Sequence, residues 1–147
     1  MAIAERTAEA IWEGSLGGGW GTVRPVTGAF DGLPVTWASR TGYPDGMTSP
    51  EELAAAHSAC FAMALALRLG AHQAALEQLA VTATVTLDEV GGVPTIVSSA
   101  LQVRGRVPGL GAAGFQAAVD EAAVLCPVSR LFAGAKISVA AALESGT

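Results

Sequence analysis

An α+β fold is predicted by three features of this 147-residue sequence. Strand-like alternation and turn chemistry fill residues 8–40, and a long alanine-rich helix opens at Thr48-Ser49-Pro50-Glu51-Glu52. Further on, two β-rich runs meet at Gly91-Gly92. Helices do not alternate one for one with strands, so a βαβ chain is not expected.

The elements follow in order. AEAIWEG leads into the glycine-rich SLGGGWG, and TVRPV and PVTWASR follow, with GAFDG turning between them. Val35, Trp37 and Ser39 alternate with Thr36, Ala38 and Arg40, the pattern of a half-buried strand that ends at Arg40. GGGWG is read as a hairpin turn. It lacks the Lys-Ser/Thr of a phosphate loop, and no helix is expected after it. TGYPDGM is a loop built on Tyr43-Pro44-Asp45-Gly46. Ser49 is then a natural N-cap, Pro50 suits the first helical position, and Glu51 and Glu52 favour the positive end of the helix dipole. That helix is expected to run to about Leu69 and stop at Gly70, with a short helix over His72–Leu79 after it. LAVTATVTLDEV and VPTIVSSALQVRGRV form a hairpin on the two glycines. Residues 112–124 carry Phe115, Val119, Ala122 and Ala123 at helical spacing. Cys126-Pro127 interrupts the helix, VSRLFAG adds a further helical turn, and AKISVAAAL closes the chain as a strand.

Length fits one domain over residues 1–147. Hydrophobic residues make up 51% and charged residues 14%, against about 25% charged in ordinary soluble domains. A monomer of this size has difficulty covering so much apolar side chain, which points to an oligomer. The net charge of −5 and the absence of a basic cluster argue against nucleic-acid binding. The N-terminal MAIAERTAEA has no basic stretch followed by an apolar run, so no secretory signal is expected. The apolar run Leu53–Leu69 is broken by His57, Ser58 and Arg68 and reads as a core helix rather than a membrane span. A cytoplasmic chain follows, with both cysteines reduced by default.

Chemistry concentrates on Cys60, Cys126, Arg40 and the pair Glu51 and Glu52. Cys60 lies mid-helix in AAAHSACFAMALALRLG, where packing alone is one explanation, because free cysteine is a small hydrophobe. The other is a sheltered reactive thiol. A thiolate is the nucleophile, so it needs a positive partner, and an arginine held by a carboxylate supplies one. Pro127 at a first helical position makes Cys126 an N-cap, where the dipole lowers a thiol pKa. From the residues alone, a redox pair and two unrelated core cysteines both stay open. His57 and Cys60 share a helix face, and Cys126 could complete a three-ligand zinc site. Inert thiols in a non-catalytic dimeric scaffold are a third reading.

PEELAAAHSACFAMAL, followed far downstream by CPVSRLF, resembles the OsmC/Ohr family of peroxide-detoxifying proteins. AEAIWEG, the turn into GTV, TSPEEL, VTLDEV and RVPGL fall in that family's order, so the resemblance spans nearly the whole chain. His57 in AAHSACF and the following MALAL are closer to the OsmC branch. The resemblance implies antiparallel sheets wrapped around a central buried helix pair in an intertwined homodimer, with two active sites at the subunit interface. It implies thiol-dependent reduction of organic hydroperoxides and hydrogen peroxide by an external dithiol or lipoyl-type reductant, with no cofactor and no metal. Position by position, Cys60 is then peroxidatic, Cys126 resolving, and Arg40 the activator of the thiolate. The family commonly has one more residue between PEEL and the AAHxAC segment. Glu51, nine residues before Cys60, is taken as the partner of Arg40, and Glu52 as a solvated or dipole-facing acid. The aromatics Phe61, Trp37 and Tyr43 are candidates for contact with an apolar peroxide tail.

Overall fold

The computed structural model describes residues 1–42 and 46–145. Tyr43, Pro44 and Asp45, the centre of the expected TGYPDGM turn, lie outside the described residues. The chain forms two compact units, Met1–Glu52 and Leu53–Thr147, taken one at a time.

In the first unit, strands β1 (Ala8–Glu13), β2 (Trp20–Pro25) and β3 (Leu33–Val35) form an antiparallel sheet in that order. SLGGGWG is the expected hairpin turn, and a strand follows it, not a helix. Gly19 is required there, because a Cβ would stand 2.3 Å from the Ser15 carbonyl oxygen. The Trp12 indole N–H closes the turn on the Gly14 carbonyl at 3.1 Å.

The strand expected to reach Arg40 stops at Val35, and helix α1 (Trp37–Thr41) replaces its second half. The cause is a reciprocal cap. Thr36 Oγ1 accepts from the Ser39 N–H at 3.1 Å, and Ser39 Oγ accepts from the Thr36 N–H at 3.3 Å. Two orphan donors are satisfied within four residues, and this overrides the period-two pattern. Arg40 therefore sits in the last turn of a helix rather than at a strand end.

The second unit is built on helix α2 (Ser49–Ala71), whose first turn, Ser49–Glu52, belongs to the first. The Glu52 N–H bonds to the Thr48 carbonyl at 2.8 Å, so the helix starts one residue earlier than expected. Gly70 does not stop it. Termination comes at Gln73, in the left-handed region at φ 56°, with the Ala74 N–H returning to the Leu69 carbonyl. No helix forms over His72–Leu79. Instead the Glu77 N–H bonds to Arg106 O, which draws the chain into the sheet.

That sheet has the order β4 (Gln78–Val90), β5 (Val93–Arg106), β6 (Lys136–Leu143). Gly91 and Gly92, at φ 60° and 81°, make the tight turn of the β4–β5 hairpin. β6 pairs with β5 in parallel, from Ser98 opposite Lys136 to Gly105 opposite Leu143, where antiparallel pairing was expected. Parallel neighbours need a crossover, and helices α3 (Ala112–Leu125) and α4 (Pro127–Leu131) supply it.

Phe61, Leu65 and Leu69 of α2 pack with Leu101 and Val103 of β5 and with Phe115, Ala118, Val119 and Ala122 of α3. Cys126 lies in the same cluster. Gly105 leaves the space that the Phe115 ring occupies, since a Cβ there would come within 2.5 Å of it. By length and composition α2 could cross a membrane. Its spacing of Phe61, Leu65 and Leu69 buries one stripe in this core instead.

Candidate active site

Ser99, Leu101 and Val103 alternate along the core face of β5, so Ser99 places a hydroxyl at a position where the pattern calls for an apolar group. Facing it from α2 is His57, completely buried. A buried imidazole must have both nitrogens satisfied. His57 Nδ1 lies 2.7 Å from Ser99 Oγ, and Nε2 lies 2.8 Å from Ser129 Oγ on α4. The Phe132 ring meets the imidazole edge-on, with centroids 5.2 Å apart. Burial lowers the His57 pKa and favours the neutral ring.

Cys60 is one helical turn beyond His57 on the same face of α2, half-buried. Cys126 is at the corner between α3 and α4. Its own N–H caps α3 on Ala122 O, and its carbonyl accepts the first bond of α4, from Arg130. Cys60 packs against the core cluster that holds Cys126, and both are free thiols close enough for Cys126 to act on the titration of Cys60. The expected N-cap position of Cys126 is there, with Pro127 following, but the Cys126 side chain makes no capping bond. The backbone N–H of Val128, the second residue of α4, is near enough to Cys60 to favour its thiolate. A helix-start donor thus serves the first cysteine rather than the second.

These neighbours act on the Cys60 thiol in opposite directions. Burial pushes its pKa up, the Val128 N–H pulls it down, and the adjoining Cys126 adds to the rise. The net direction is upward. Shelter by an apolar helix thus disfavours the thiolate, and a reactive thiol at this position would need a positive charge in addition.

Arg40 is exposed at the end of α1, with its guanidinium carbon 5.6 Å from the centroid of the Trp37 ring, a cation–π distance. Both line a cavity of about 360 Å³ in the first unit, walled by Trp12, Val23, Val35 and Met47. The acid that shares this cavity with Arg40 is Glu52; Glu51 is exposed and is not part of its wall. Among the described residues neither glutamate comes within ion-pair distance of Arg40. Of the aromatic candidates, Phe61 is a fully buried core ring, Trp37 lines the cavity, and Tyr43 is outside the described residues.

The zinc alternative drew on His57, Cys60 and Cys126. Both nitrogens of His57 are occupied by serine hydroxyls, so the ring has no lone pair free for a metal. Among the described residues, no three His, Cys, Asp or Glu side chains gather as a ligand set.

Sequence reasoning missed Ser99, Ser129 and the Val128 N–H. A signal for the first two existed: a lone histidine in an apolar helix needs buried hydroxyl partners. Ser99 stands in core phase on its strand, and Ser129 lies within CPVSR.

The profile of the family described as OsmC-like protein matches residues 42–141. Peroxiredoxin OsmC of Escherichia coli is 38% identical over 127 residues, covering 86% of this chain and 88% of that protein. An OsmC-like protein from Mycoplasma pneumoniae has the same fold, with a TM-score of 0.76 at 15% identity over 98% of this chain and all of that one. An organic hydroperoxide resistance protein OsmC from Legionella pneumophila aligns at a TM-score of 0.74, with 20% identity over 99% of this chain and all of that one.

Proposed function

Because this chain belongs to the OsmC family, we propose that it is a cysteine-based peroxidase that reduces organic hydroperoxides and hydrogen peroxide with electrons from a dithiol. The observation that supports this reading is the placement of two free thiols, Cys60 and Cys126, beside one another at the core, with the Val128 N–H near Cys60.

In the proposed cycle the Cys60 thiolate attacks the distal peroxide oxygen. The O–O bond breaks, the alkoxide leaves and takes up a proton as alcohol, and Cys60 becomes a sulfenic acid. The Cys126 sulfur then displaces that oxygen, which departs as water carrying its own hydroxyl proton and the proton given up by the Cys126 thiol. An external dithiol or lipoyl-type reductant restores both thiols and is itself oxidised to a disulfide. Arg40 activates the thiolate and orients the peroxide, and a glutamate of PEEL, Glu51 by family position, holds the guanidinium. The apolar cavity beside Arg40 suits a substrate with a hydrocarbon end.

We further propose a single domain over residues 1–147, a homodimer and a cytoplasmic location. Exposed Ile11, Trp20, Met63, Leu67 and Val124 support the dimer, since isolated chains rarely leave so many large apolar groups in water. The test is consumption of cumene hydroperoxide in the presence of dihydrolipoamide. Turnover by the wild type and none by Cys60→Ser is expected; equal consumption by the two proteins would overturn the reading.

A further inference from the structure

We propose that His57 is a positioning residue: strung between Ser99 and Ser129, it holds α4 where the Val128 N–H and the Cys126 thiol face Cys60. The inference rests on the reading of Cys60 and Cys126 as the reacting pair.

Helix α4 has five residues, Pro127–Leu131, and a helix that short has no stability of its own. It nevertheless delivers two groups to one sulfur. Cys126 precedes it, and Val128 is its second residue. Ser129, the next residue, is the anchor, with its hydroxyl 2.8 Å from the His57 ring. The other end of the ring is tied to Ser99 on β5, in the middle of the sheet. His57 and Ser99 are fully buried and Ser129 is 7% exposed, so water cannot replace a lost partner. Phe132 packs edge-on against the ring and limits its rotation. A neutral imidazole donates at one nitrogen and accepts at the other, so it can link two hydroxyls without leaving an atom unpaired. The sheet, α2 and α4 are thereby tied together three residues from Cys60.

This bears on the resolving step. A sulfenic acid on Cys60 condenses with Cys126 only if that thiol is already aligned; a shift of about an ångström in such an arrangement can cost up to about a hundredfold in rate. Loosening α4 also withdraws the Val128 N–H from the Cys60 sulfur.

The test uses the reduced full-length protein and the variants Ser129→Ala and Ser129→Thr. Two quantities are read: the pH profile of Cys60 alkylation by iodoacetamide, which needs no peroxide, and the rate of disulfide closure after one equivalent of hydroperoxide. Ser129→Ala is expected to move the alkylation midpoint upward and to slow closure by about tenfold, and Ser129→Thr, which keeps the hydroxyl, to restore both. A folded Ser129→Ala protein with wild-type midpoint and closure rate overturns the proposal, even if it melts earlier. Should Ser129→Ala not fold, Ser99→Ala, which frees the ring at its other end, is read in the same way. If wild-type Cys60 forms no sulfenic acid, the peroxidase reading fails, while the alkylation midpoints still decide the role of His57.

Discussion

At Cys60 the surroundings within its own unit raise the thiol pKa, burial being the largest cause. The Arg40 charge is proposed to reverse this. Replacing Arg40 by Ala is therefore expected to slow Cys60 oxidation at neutral pH by about tenfold or more, with the rate recovering as pH rises through the thiol range. Stopped-flow rates across pH check this; a profile identical to wild type would remove Arg40 from the activation scheme. Arg40→Lys should fall between the two, because an ammonium keeps the charge and loses the fork. Glu51→Gln and Glu52→Gln, compared by the same profile, assign the carboxylate. The two candidate cysteines were legible because their motifs carry them, and the need for an external charge followed from burial alone. The Val128 donor was not legible. It is a backbone group, and its role depends on a contact between segments nearly seventy residues apart, which spacing does not encode.

Among the elements, α2 and α3 are joined at their ends by Glu121, which accepts from Arg68 and lies 3.0 Å from His72 Nε2. The Arg68 hydrogen bond, then the His72 bond, holds the Glu121 carboxyl below its usual pKa. A depressed carboxylate contributes stability above its unfolded pKa and loses it as pH falls through the folded value. Glu121→Gln should therefore melt below wild type at pH 7, with the gap closing in acid, as followed by circular dichroism. A gap that persists at low pH would contradict this. Gly105→Ala should cost about 1–3 kcal/mol in urea unfolding, because the added methyl meets the Phe115 ring in a packed core. Most elements could be read from periodicity and turn residues, the Gly91-Gly92 hairpin most directly. The failures share a cause. The Thr36–Ser39 cap turned an alternating run into α1, and the Glu77–Arg106 bond claimed for the sheet a segment that reads as helix. A local or long-range hydrogen bond outweighed a weak pattern in each case.

For the whole molecule, the low charged fraction pointed to apolar surface that one chain cannot cover, and Val124 and Leu131 stand 72% and 76% exposed in the single chain, in support of the proposed dimer. Sedimentation equilibrium is expected to give a dimer at micromolar concentration; a monomer at every concentration would contradict the proposed assembly. The parallel β5–β6 pairing, by contrast, was not readable, since nothing in AKISVAAAL states its direction. The chemistry proposed for the chain depends on one event, transfer of a peroxide oxygen to Cys60 followed by bonding to Cys126. Rapid mixing of fully reduced protein with one equivalent of cumene hydroperoxide, followed by peptide mass spectrometry, observes that event directly. Loss of both thiols within seconds and a Cys60–Cys126 linked peptide are expected; two thiols unchanged after minutes would contradict it.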